Sequence, residues 1–216
     1  MAKSFSDTKG KAAKNSVDAY KYVDGENIVR MFGGVLPRYM YWIKSSQGTD
    51  LPVESLAFNR DKEKFDNIEY DHVPDYFPGA KCQWSYSINC IDIKDGGKVK
   101  VLNLKKKLFE QIMSLAEDLG DPTDPETGWD AVFRRVRTGP LPFNVEYTLQ
   151  QLRCKTRPLS EAELEAISKD PGIDSKYPRP TPDEVKANLD KLTKPVEDSP
   201  EDADEADEAK EKPSDL

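Results

Sequence analysis

Histidine is nearly missing from this chain: His72 is the one imidazole in 216 residues. That scarcity excludes a histidine-based hydrolase triad with any second imidazole ligand, a paired-histidine metalloprotease site and a two-histidine iron site. Cysteine is almost as rare. Cys82, Cys90 and Cys154 are odd in number and lie 8 and 64 positions apart, which suits reduced thiols in a cytoplasm better than a disulfide framework. With His72 they form the one-His, three-Cys set that a structural zinc site can use. Such modules usually contain a close cysteine pair, and none is present, so neither metal nor cofactor is expected. Phosphate-cradling loops are lacking too: neither Gly10-Lys11 nor Gly97-Lys98 has a glycine five positions before the Gly, and there is no G-x-G-x-x-G. No run approaches the ~20 apolar residues of a membrane span, and Met1-Ala2-Lys3-Ser4 leads into no apolar signal region. These absences point to a soluble, unexported protein without membrane contact, and away from an enzyme. Asp118, Asp121, Asp124 and Glu126 could gather around a divalent cation, as in a metal-dependent nuclease. The two prolines among them and the lack of a ligand-spaced glycine favour a solvated loop.

What the chain does have is a sharply partitioned charge. Residues 196–216 hold ten acidic side chains against two lysines, a net −8 that equals the net charge of the whole chain, so the preceding residues balance at 30 against 30. A run of Glu, Asp, Ala, Ser and Pro with no aromatic cannot bury enough apolar surface to offset the entropy of ordering. The expectation is a disordered polyanion on a neutral body. Such a tail serves as a solubiliser, or it imitates a nucleic-acid backbone and competes for a basic groove on the same protein.

Periodicity divides the rest. Residues 1–24 carry five lysines among small residues and read as a basic N-terminal arm. Asn27 to Phe32 read as a strand interrupted by Gly33-Gly34, and Arg38 to Lys44 as a second. Residues 47–78 mix charges with scattered aromatics and read as a long insertion with little regular structure. Trp84, Tyr86, Ile88 and Cys90 then share one face of a period-two pattern, and Asp95-Gly96-Gly97 turns the chain into a partner strand over 98–104. Leu108, Ile112, Leu115 and Leu119 recur at helical spacing up to Gly120. A last hairpin pairs 131–137 with 145–154 across Gly139-Pro140-Leu141-Pro142-Phe143. Strands with one helix inserted between them predict a mainly β fold, an OB-like five-stranded barrel over 25–156. Beyond it, Ser160 with Glu163 and Thr181-Pro182 with Glu184 are capping-box signatures, predicting two short helices in a linker over 157–195, before the tail at 196–216.

The chemical signal is basic residues interleaved with aromatics on these strands. Holding single-stranded nucleic acid requires cations for phosphates and flat rings for bases. Arg38, Tyr39 and Tyr41 offer both on one strand; Lys81, Trp84 and Tyr86 do so on another. Arg135 and Arg137 share one strand face with Arg134 on the other, and Phe143 and Tyr147 follow across the turn. Lys105, Lys106 and Lys107 open a helix, where the macrodipole disfavours cations, which implies a use other than helix stability. The competing reading from another class is an acidic adaptor that binds proteins and no nucleic acid.

The segment from Lys81-Cys82-Gln83-Trp84-Ser85-Tyr86 through Asp95, then Gly97-Lys98-Val99-Lys100 and Lys105-Lys106-Lys107-Leu108-Phe109, resembles the central part of tailed-phage single-stranded DNA-binding proteins. Val132-Phe133-Arg134-Arg135-Val136-Arg137-Thr138-Gly139 is similar to that family's closing hairpin. The resemblance implies an OB fold and coating of exposed strands in DNA replication, recombination and repair in the bacterial host cytoplasm. It further implies that the acidic tail recruits phage or host replication and recombination proteins. It points to Tyr86 as a stacking ring, to Arg134, Arg135 and Arg137 as groove cations, and to Phe143 at the hairpin tip. Some members carry a close cysteine pair for zinc in the insertion, which this chain lacks, and an aromatic expected before the helix is Leu102 here. Oligomeric state stays open.

Overall fold

The computed structural model describes residues 17–44, 50–141 and 144–193. In chain order its elements are β1 (Gly25–Leu36), β2 (Tyr39–Lys44), β3 (Asp50–Glu54), β4 (Phe58–Asn59), β5 (Lys64–Phe65), α1 (Val73–Tyr76), β6 (Gln83–Trp84), β7 (Ser87–Asp92), β8 (Lys98–Asn103), α2 (Lys106–Leu119), β9 (Asp130–Arg137), β10 (Val145–Leu149), α3 (Glu161–Ser168), α4 (Ile173–Lys176) and α5 (Pro182–Thr193). Five strands form one antiparallel sheet in the order β10-β9-β1-β7-β8. The long first strand is central, and α2 lies between the third and fourth sheet strands. This is the strand order of the partly open OB barrel, as the sequence predicts.

Local chemistry explains the bends. At Gly33 the backbone enters the left-handed region (φ +71), and the register of β1 against β7 shifts between Phe32 and Leu36, so the glycine pair forms the expected irregularity. In α2, Leu108, Ile112 and Leu115 are buried at helical spacing against the barrel core of Val29, Met31, Ile88, Cys90, Leu102 and Phe133. Gly120, at φ +84, ends the helix, and its carbonyl accepts from Trp129 Nε1 at 3.0 Å.

The open seam between β8 and β10 is covered by the N-terminal segment. Ala19 bridges Val101 in parallel, Tyr20 N donates to the Val101 carbonyl at 2.8 Å, and Val101 N donates to Asp18 at 2.8 Å. The Tyr20 ring is buried, and Tyr22 meets Tyr147 of β10 with ring centroids 5.0 Å apart. Residues 17–24 thus belong to the packed body, whereas the rest of the basic arm lies outside the described residues.

The loop joining β1 to β7 is a small unit of its own. β2 pairs with β3 and β6, β4 with β5, and Tyr41, Ile43, Leu56 and Val73 form a second core closed by Val185 and Leu189 of α5. The segment expected to be irregular is ordered by aromatics the sequence scatters: Tyr39, Phe58 and Phe65 meet pairwise at 4.7 to 5.3 Å.

Residues past the barrel form a strap across it with three helices. Both capping boxes close: Ser160 and Glu163 bond reciprocally, as do Thr181 and Glu184. Arg157 bridges Asp130 of β9 and Glu163, tying α3 to the barrel. Asn89 of β7 donates to Asp170 and accepts from Lys176, both at 2.9 Å. All six residues of β7 are consequently buried, including the polar face that alternation would assign to solvent. Among the described residues no helix is long and apolar enough to cross a membrane. The acidic tail lies outside the described residues.

Candidate nucleic-acid interface

The strand rule that buries one face of β2 exposes the other. Tyr41 and Ile43 point into the second core, leaving Trp42 53% exposed. Opposite Tyr39 in the neighbouring strand stands Trp84, whose ring stacks on Tyr86 (centroids 4.4 Å apart, 17° between planes) and leans on Phe109 of α2 at 5.6 Å. Tyr86 is fixed from behind, its hydroxyl donating to Glu63 Oε2 at 2.6 Å. Burial and that carboxylate both raise the phenol's pKa, keeping it a protonated donor.

These two indoles line a cleft of about 770 Å³ between the β2-β3-β6 sheet and the start of α2. Its remaining walls include Arg38, Asn103, Lys105, Lys106 and Tyr177. Lys105 is the N-cap of α2 and makes no side-chain cap bond, and no acidic residue occupies the first turn. The first amide N–H groups of the helix therefore carry their positive end toward a mouth lined by lysines. Such a surface suits an extended polyanion whose bases expose flat faces.

A second basic surface adjoins this one through Lys105. Its ammonium lies 5.6 Å from the Tyr22 ring, which packs on Tyr147; Tyr147 faces Arg135 across the β9-β10 pair. Lys105 keeps an exposed surface, yet desolvation by the protein around it, and secondarily the nearby Arg135, hold its ammonium below its ordinary pKa. Arg135 and Arg137 are not free: both pair with Asp24.

The expected contacts separate accordingly. Trp84, Lys105 and Lys106 come together in the cleft, joined by Arg38, which lines it while only 6% exposed. Lys107 is exposed on the first turn of α2 and Lys81 is exposed before β6. Two rings need correction as stacking surfaces. Tyr41 is buried with its hydroxyl bonded to Asp71, and Tyr86 is 7% exposed behind Trp84, whereas Tyr39 is half-buried against Phe58 and Phe65. Arg134 is exposed on the opposite face of β9 from Arg135 and Arg137, and Tyr147 is half-buried against Tyr22. Phe143 lies outside the described residues. Two further residues of the cleft are Trp42, which the sequence leaves evenly balanced between core packing and stacking, and Tyr177, to which it assigns no role. For Trp42 the signal was present, since burying Tyr41 and Ile43 forces it outward; for Tyr177, set in a proline-rich stretch, there was none.

No family model matches the chain. Over 241 aligned positions it is 27% identical to a protein of Escherichia phage T5 named a probable ssDNA-binding protein, and the alignment covers 94% of this chain and 91% of that one. The similarity bears out the likeness to phage proteins of this kind that the sequence suggested.

Proposed function

We propose that this chain is a non-catalytic single-stranded DNA-binding protein, and that the cleft between β2, β6 and the start of α2 holds the strand. The observation that carries this reading is the exposed Trp42 facing a cleft shared with Trp84, Lys105 and Lys106. Base stacking on an indole contributes ~1–3 kcal/mol and tolerates every base, so the surface coats a strand without reading its sequence. The full-length similarity to the phage T5 protein supports the same reading. In this proposal the protein protects exposed strands during phage replication, recombination and repair in the host cytoplasm. The acidic residues 196–216 compete with DNA for the basic surface and recruit replication proteins once displaced.

Tryptophan fluorescence tests it. Of the three tryptophans Trp129 is fully buried, so quenching by oligo-dT reports on Trp42 and Trp84. Saturable quenching by single-stranded but not duplex DNA supports the proposal, because pairing hides base faces in the stack. Equal response to both, or none, rejects it.

A further inference from the structure

The strap does more than cover β7, because one of its residues reaches the cleft. Tyr177, just after α4, is held by its own N–H donating to the Ile173 carbonyl at 3.1 Å and by its carbonyl accepting from Arg60 at 3.1 Å. Its ring packs with Leu36, Val101 and Ile173 and lies under the guanidinium of Arg38, whose Cζ is 4.0 Å from the ring centroid. Both residues line the cleft.

Arg38 is unusual among the buried cations. It is 6% exposed, yet among the described residues it forms no ion pair. Its Nη2 donates to Ser87 Oγ at 3.0 Å, and its Nε has no partner. Glu54, the carboxylate that most favours its charge, is engaged by Arg60 and Arg179. Arg30, the other deeply buried arginine, has Asp130 at 3.9 Å. A buried charge without an anion is costly, and guanidinium stacks on aromatic faces while keeping its edge available to phosphate. Resting on the reading of the cleft as the DNA site, we propose that Tyr177 is a positioning residue that holds Arg38 with its edge toward a DNA phosphate. The strap is then part of the nucleic-acid site.

The salt dependence of oligo-dT binding by the full chain tests this. Removing one cation from a phosphate changes the slope of log K against log salt by roughly 0.7 on single strands, whereas weaker packing alone leaves the slope intact. Tyr177→Leu should lower the slope by about that increment, and Tyr177→Phe, which keeps the ring, should retain the full slope. Arg38→Met should lower it by the same increment, and combining it with Tyr177→Leu should cost nothing further in slope. If Arg38→Met keeps the full slope, the assignment fails, whether or not Tyr177→Leu folds. If Tyr177→Leu melts as the unaltered protein does and keeps the slope, Tyr177 does not position Arg38. No binding by the unaltered chain would instead overturn the reading of the cleft, and the assignment with it.

Discussion

Trp84 and Tyr86, two positions apart in the chain, lie face to face at 4.4 Å instead of extending along one strand face. The chain breaks its strand between β6 and β7 at this point, so Tyr86 turns into the barrel core and Trp84 remains at the cleft wall. Tyr86 thereby acts on the cleft through Trp84, and the bond from its hydroxyl to Glu63 fixes the pair from inside.

Trp42 should separate binding from folding. Trp42→Ala is expected to weaken oligo-dT binding by ~1–3 kcal/mol with little change in salt slope. Its effect on stability should stay within about 0.5 kcal/mol, as for an exposed side chain away from special features. Paired DNA titrations and thermal melts check both; an unfolding effect without an affinity effect would place this ring in packing.

Lys105 and Lys106 should behave in the opposite way. Replacing both with Ala is expected to lower the salt slope by roughly 1.4, that is, 0.7 for each phosphate no longer neutralised, for all sequences alike. Binding of oligo-dT and oligo-dC across a salt series measures it. A full slope in the variant would mean these lysines face solvent.

Asp24 restrains two cations of the adjoining surface. Asp24→Asn should free Arg135 and Arg137, raising DNA affinity at low salt, with the gain fading as the Debye length falls toward ~8 Å at physiological ionic strength. Asp24 and Arg137 are exposed while Arg135 is largely covered, so the cost in stability should come mainly from the Arg135 pair and stay within about 1 kcal/mol. A drop in affinity would show instead that the pairs preorganise the arginines.

Acid should loosen the strap. The Arg157 guanidinium, with Ser160 also bonding, holds the Glu163 carboxyl well below its ordinary value, at about 2. A carboxylate with a depressed folded-state pKa contributes stability that is present above its unfolded pKa and lost as pH falls through the folded one. That contribution should therefore be present above about pH 4.5 and disappear toward pH 2. Melting temperatures of the unaltered protein and Glu163→Gln should converge over this range. A constant gap would mean that Glu163 does not govern the acid response.

The barrel was legible because its signals are local: alternation in β7 and β8, helical spacing in α2, glycines at the bend of β1 and at the end of α2. Ser160-Glu163 and Thr181-Glu184 likewise announced their helices by short-range chemistry. What escaped depends on contacts distant in sequence. Tyr39, Phe58 and Phe65 order the insertion through one another, and Tyr20 joins the barrel by pairing with Val101. The same limit applied to the site. Arg135 and Arg137 read as free cations until Asp24 is brought beside them, and Tyr177 reaches Arg38 across 139 positions of chain (177 − 38). Trp42 is different, since its exposure follows from the strand period once the buried face of β2 is chosen.

Photochemical cross-linking of oligo-dT carrying 5-iodouracil, with the modified peptides identified by mass spectrometry, tests the location of the DNA most directly. Adducts are expected on Trp42 and Trp84, and they should disappear when unlabelled oligo-dT is in excess. Specific adducts confined to other rings, with neither indole modified, would contradict a strand held in this cleft.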